Sequence, residues 1–449
     1  MWAVTDLVNR YEGSSGREDR WKFFKKAFAE LKDVIRTRSV RGLFSGAELD
    51  KKSIEESARE FLEAGDKFDL EQEVASEPSE YELFVDRLNE LSSPLGSNRR
   101  LMTSKAKRSV PAVYWPANDV NSPDYAHMAG YEVIESSFNL TVDDLNAAFE
   151  LNAFTIPTNV KKVVVAIRGA KMMSHEAVGQ TSIPITEVRP NHSDFRCLIG
   201  VWDTSSSLLT LFSASTVPCP YYMKNYYFKQ HGMPHYSSID CNMLPSGHYV
   251  FRVGSHSGGS IKPALRMSEP DNLGSDARAC VWRTSNDVTY GLADDLRRPA
   301  RVYDNVHCSY FVSYMDSYES FYSSAGCLTV RGRKDPSHQW SKFQDILEEV
   351  GQGNRADLVL ITGKELAIIS AKRAGGTFDE EKGSLRRLRI GSFGDEVKLL
   401  QEKLGRSPTG YLDADTQYAF WSWQKQTGLS ADGIYSPATE SLSQWGILS

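Results

Sequence analysis

Hydrophobic positions along this chain change texture three times. From residue 17 to about residue 93, apolar residues recur at spacings of three and four. Trp21, Phe24, Ala27, Phe28, Leu31, Val34 and Ile35 are separated by Lys and Glu. That period lays one apolar stripe along a helix. Further helices are predicted over Ala47–Ala64 and over Ser79–Leu91, the latter with Tyr81, Phe84, Val85, Leu88 and Leu91 on one face. Stripes of this kind bury against one another, so 1–93 reads as a helical N-terminal region whose outer faces are open to a protein partner. Residues 94–110 lose the period and turn basic, which reads as a solvated linker.

From Pro111 to about Val330 the period shortens towards two. Lys162–Arg168 (K-V-V-V-A-I-R) is a β-branched run suited to a buried strand. Phe195–Val217 holds two apolar runs around the polar turn Asp203–Ser206 and predicts a hairpin. Leu244–Val253 is a turn entering a strand, and Asp143–Leu151 a short helix. Residues 332–384 read as a connector with some structure: a helix over Trp340–Val350, a strand over Asp357–Thr362, a helix over Lys364–Ala371, and a Gly- and charge-rich linker from Ala374 to Ser384. Beyond Leu385 the helical period returns. Val397, Leu400 and Leu404 stripe one helix, Asp415 and Thr416 open a second around Ala419, Phe420 and Trp423, and Ala438-Thr439 opens a third. The fold class expected is multidomain α+β: helical N-terminal region, mainly-β centre over 111–331, C-terminal helical trio over 385–449.

Composition narrows the function classes. The 449 residues are 41% hydrophobic and 24% charged, as in soluble globular proteins, and the net charge of −6 points away from nucleic acid. No run of eighteen apolar residues predicts a membrane-spanning helix, and Met1–Asp6 lacks the basic-then-apolar layout of a secretory signal. Six cysteines with no C-x-x-C pair do not make a disulfide scaffold.

The candidate chemistry lies in Tyr303–Arg331, where His307 precedes Ser324-Ala325-Gly326-Cys327-Leu328. A cysteine nucleophile needs a base beside it, because the thiolate is the reactive form. A histidine twenty residues upstream meets the thiol if both sit on neighbouring strands. Gly326 allows a sharp turn and offers an N–H near a developing oxyanion. His231 and His235, with Asp240 and Cys241 near, have tolerable zinc spacing, but Gly232 and Pro234 argue against the helix that usually presents such a pair. His248 and His256 are further candidates for lining a cleft.

His307, the spacer and S-A-G-C-L resemble the signature of L,D-transpeptidase (YkuD-type) cysteine enzymes. L-P-S-G-H-Y (Leu244–Tyr249) resembles a segment preceding it in that family. Cys308 stands where glycine is usual, Ala325 where a second histidine is usual, and Thr329 where arginine or asparagine is usual; Arg331 is a candidate for the missing charge. Residues Leu388–Leu442 resemble the peptidoglycan-binding domain type 1 of cell-wall hydrolases, with Gly410–Asp413 and Ser436 departing from its glycine turns.

The resemblances imply a cell-wall enzyme that needs no metal or other cofactor. Cys327 would attack a stem-peptide carbonyl and His307 would carry the proton. The Gly326–Cys327 backbone, together with Ser324, would hold the oxyanion, and the C-terminal module would anchor the enzyme to stem peptides and glycan. Synthesis in the cytoplasm with action in the periplasm or wall, by a non-Sec route or after release as a lysin-like or toxin-like protein, is expected. A wall-binding protein without catalysis and a zinc-dependent wall hydrolase stay open as alternatives.

Overall fold

The computed structural model describes Asp124, Met128 and residues 136–448 apart from 191, 193, 220–240, 257–260, 284–295, 310–323 and 334–335. The expected N-terminal helices, the linker 94–110, His231 with His235, and the aromatic spans 221–228 and 310–322 lie outside the described residues.

The strands, in chain order, are β1 (Ser137–Thr141), β2 (Lys162–Arg168), β3 (Ala170–Lys171), β4 (Glu176–Gln180), β5 (Ser182–Glu187), β6 (Cys197–Asp203), β7 (Leu208–Ser215), β8 (Gly247–His256), β9 (Ile261–Glu269), β10 (Asn272–Asp276), β11 (Arg278–Ala279), β12 (Ala300–Arg301), β13 (Val306–Cys308), β14 (Leu328–Val330) and β15 (Arg355–Thr362). The helices are α1 (Val142–Leu151), α2 (Gln339–Val350), α3 (Gly363–Ala374), α4 (Phe378–Leu385), α5 (Asp395–Lys403), α6 (Ala414–Gln426) and α7 (Pro437–Ser443).

Eight strands close into a barrel in the order β9, β13, β14, β7, β6, β2, β15, β8, with β8 pairing back to β9. Closure leaves no exposed edge in the ring. β2 pairs antiparallel with β6 from Lys162 opposite Asp203 to Arg168 opposite Cys197, and β6 continues into β7 through the predicted hairpin. The unbroken apolar run of β2 follows from burial on both faces. Val163, Val165 and Ile167 join Val359 and Ile361 beneath α1 and α3, while Val164, Ala166, Leu358 and Leu360 are buried on the other side. Helix α1 starts at a reciprocal cap: Thr141 Oγ1 accepts from the Asp144 N–H, and Asp144 Oδ2 accepts from the Thr141 N–H at 2.9 Å.

The span expected to be a connector is part of the barrel. β15 lies between β2, to which it is parallel, and β8, to which it is antiparallel. Its eight residues are all but one buried. The predicted strand and helices are there, but their amphipathic period says nothing of where in a sheet a strand inserts. The expected linker over 374–384 is largely α4.

The C-terminal helices pack on the barrel directly. Their own core is Leu388, Val397, Leu400, Leu412, Phe420, Tyr435 and Ile447. The His248 N–H donates to the Ile390 carbonyl at 3.0 Å, and Arg389 donates to Ser246 Oγ at 2.8 Å and Glu365 Oε1 at 2.7 Å, all buried. Gly391 has φ +88°, and a Cβ there would stand 2.4 Å from the His248 carbonyl oxygen, so only glycine allows this approach. Where a linker is expected, buried hydrogen bonds join the module to the barrel.

Candidate active site

His307 and Cys327 come together because β13 and β14 are adjacent and parallel. Val306 lies opposite Leu328 and His307 opposite Thr329. Cys327 immediately precedes β14, so it stands beside the His307 strand at the barrel end. One donor or acceptor atom each from His256, His307 and Cys327 lie within 4.8 Å of one another. His256, the last residue of β8, stacks its ring on His307 with centroids 4.2 Å apart and planes 11° from parallel. Cys327 is half-buried, whereas the other five cysteines are fully buried.

Hydrogen bonds set the two imidazoles. His307 Nδ1 lies 2.6 Å from the Cys308 carbonyl oxygen, which only accepts, so Nδ1 carries the proton and Nε2 is left with its lone pair. The group that orients His307 is therefore its neighbour's backbone carbonyl. His256 Nδ1 is 3.1 Å from Asn305 Nδ2.

Burial, and then the neighbouring His256, pushes His307 down to about 3. Burial, and then the Arg266 guanidinium, also lowers His256. Burial, and then the Asp304 carboxylate, pushes the Cys327 thiol up to about 12, although the Asn305 and Cys327 backbone N–H groups favour the thiolate. The resting pair is thus a neutral thiol beside a neutral base. The thiol donates to the Tyr303 carbonyl at 3.3 Å. Such a pair transfers its proton as the sulfur attacks, not beforehand.

The turn carrying Cys327 is built tightly. Gly326 has φ +153°, and a Cβ there would come within 2.6 Å of both Asn242 Cβ and Asp304 Oδ1. Asn242 accepts from Arg283 Nε at 2.8 Å, donates to Asp304 Oδ1 at 3.1 Å, and its N–H bonds the Ala325 carbonyl at 2.8 Å. Burial pushes Asp304 up to about 6 against the pull of Asn242 and Arg283.

Two expected roles change here. The Gly326 N–H donates to Ser324 Oγ at 3.0 Å, and Ser324 Oγ donates to the Cys327 carbonyl at 2.5 Å. Both groups shape the turn instead of facing an oxyanion, because the tight loop must satisfy its own backbone. Arg331 lies over the Phe195 ring, 5.9 Å from its centroid. Asn305, Asn242 and Arg283 were not singled out from the sequence, where isolated polar residues carry no periodic signal. His256 was seen only as one histidine among several.

Set against known proteins, the chain matches no family model, no curated protein and no solved structure.

Proposed function

We propose that this chain is a peptidoglycan-acting cysteine enzyme of the L,D-transpeptidase or L,D-carboxypeptidase kind, held on the cell wall by its C-terminal helices. One observation carries the reading: His307 on β13 and Cys327, twenty residues later and immediately before the adjacent parallel β14, come together with the imidazole held in the tautomer a base requires. The resemblance of S-A-G-C-L and of Leu388–Leu442 to cell-wall enzymes supplies the substrate class.

In this mechanism Cys327 Sγ attacks a stem-peptide carbonyl while its proton passes to His307 Nε2. The tetrahedral intermediate collapses, the C–N bond breaks, and His307 hands the proton to the departing amine. An amine or water then takes the acyl group from the thioester. The neutral pair suits proton transfer within the attack, and Cys327 is the cysteine that is not fully buried.

Purified muropeptides incubated with wild type and with Cys327→Ala test the reading, with products weighed by mass spectrometry. Wild type is expected to alter the muropeptides and Cys327→Ala to leave them unchanged. Identical products from both would reject the enzyme and leave a wall-binding protein without catalysis.

A further inference from the structure

We propose that His256 is the hydrogen-bond donor to the oxyanion formed when Cys327 is acylated, a part the Gly326 backbone is not placed to play. This inference rests on the acyl-transfer reading above. Acyl transfer puts negative charge on a carbonyl oxygen, and a site without a donor there loses most of its rate. The Gly326 N–H and the Ser324 hydroxyl are committed to the turn, at 3.0 and 2.5 Å.

Asn305 decides the tautomer of His256. The Met267 N–H donates to Asn305 Oδ1 at 3.3 Å, which turns Asn305 Nδ2 towards His256 Nδ1 at 3.1 Å. Nδ1 of His256 therefore accepts, and the ring proton sits on Nε2. His307 has the opposite arrangement, with its proton on Nδ1. Two stacked imidazoles thus bring complementary atoms to one thiol: a lone pair on His307 and an N–H on His256. One ring nitrogen of His256 lies within 4.8 Å of the sulfur, which brings the ring within reach of an oxygen one bond from the carbon that the sulfur joins. Burial and Arg266 keep His256 neutral, so it donates without competing as an acid.

The test compares two reagents on the full chain. Acylation by a carbapenem passes through an oxyanion; alkylation by iodoacetamide displaces iodide and does not. His256→Ala is expected to slow carbapenem acylation of Cys327 by about 10²–10³-fold while changing iodoacetamide alkylation by less than about threefold. His256→Gln, which keeps an N–H donor, is expected to recover part of the loss. Equal slowing of both reagents, or of neither, would overturn the assignment. So would a faster wild-type alkylation after a chelator, because His256 would then be a metal ligand. A wild type that iodoacetamide alkylates but a carbapenem never acylates sinks the acyl-transfer reading itself. A wild type that is acylated no faster than His256→Ala sinks only the role of His256.

Discussion

Strand β8 carries a histidine near each end, and the two ends are opposites. Near its start, His248 Nε2 lies 2.7 Å from Asp357 Oδ1, and Arg355 grips the same carboxylate at 2.7 and 2.8 Å. Burial works against that carboxylate's charge, but the Arg355 and His248 hydrogen bonds hold Asp357 below the usual range. At its far end, His256 meets a carboxamide and another imidazole, and burial drives both rings towards the neutral form. The difference shows what partner chemistry does to a buried histidine. A carboxylate shared with a guanidinium fixes the position of the ring, whereas a carboxamide and a stacked imidazole set the tautomer of a neutral one. The first kind of cluster holds a sheet to its neighbours, and the second is equipped to move a proton.

Breaking the anchored end carries the largest expected effect. Asp357→Ala removes the shared acceptor of Arg355 and His248 in the middle of the wall formed by β8 and β15, and is expected to cost about 3–5 kcal/mol in urea unfolding. Iodoacetamide alkylation of Cys327 in the folded variant should keep its wild-type rate. A change at Cys327 without loss of stability would reverse the assignment of the two ends.

A smaller effect sharpens the neutral end. The folded His307 refuses a proton that the unfolded histidine takes below about pH 6.5, so its contribution to stability falls as the solution is acidified. Asp304 is opposite in sign: its folded carboxyl keeps, up to about 6, a proton that the unfolded one loses near 4, so its contribution rises towards acid. Between about pH 4 and 6 the two offset each other in wild type. Asp304→Asn removes the offset, and its stability relative to wild type is expected to fall by about 1.4 kcal/mol for each pH unit of acidification across that window. Parallel pH profiles of wild type and variant would contradict this.

The smallest effect concerns the thiol. Removing the Asp304 charge lowers the thiol pKa, so Asp304→Asn should alkylate faster at neutral pH. A slower reaction would show that the aspartate assists the sulfur.

Local signals carried far into the structure. K-V-V-V-A-I-R is β2 over the predicted residues, the Asp203–Ser206 turn joins β6 to β7, and His307 and Cys327 lie side by side as their adjacent-strand reading requires. What was not legible is long-range. The sequence around Asp357–Thr362 describes a strand, but nothing local says that it inserts between β2 and β8. The charge of residues 374–384 suggested a tether, yet α4 leads into a module sealed by Arg389, Gly391 and Ile390. A glycine beside a cysteine suggests a free N–H until the Ser324 hydroxyl is seen to take it. The role of His256 depends on Asn305 and Met267, which only the fold brings to it.

The most direct measurement is the intact mass of the full chain after exposure to a stem tetrapeptide or a carbapenem, with the modified peptide mapped. One acyl adduct on Cys327 is expected, absent from Cys327→Ala and strongly reduced in His307→Ala. An unmodified Cys327 in a folded protein that iodoacetamide still alkylates would contradict it.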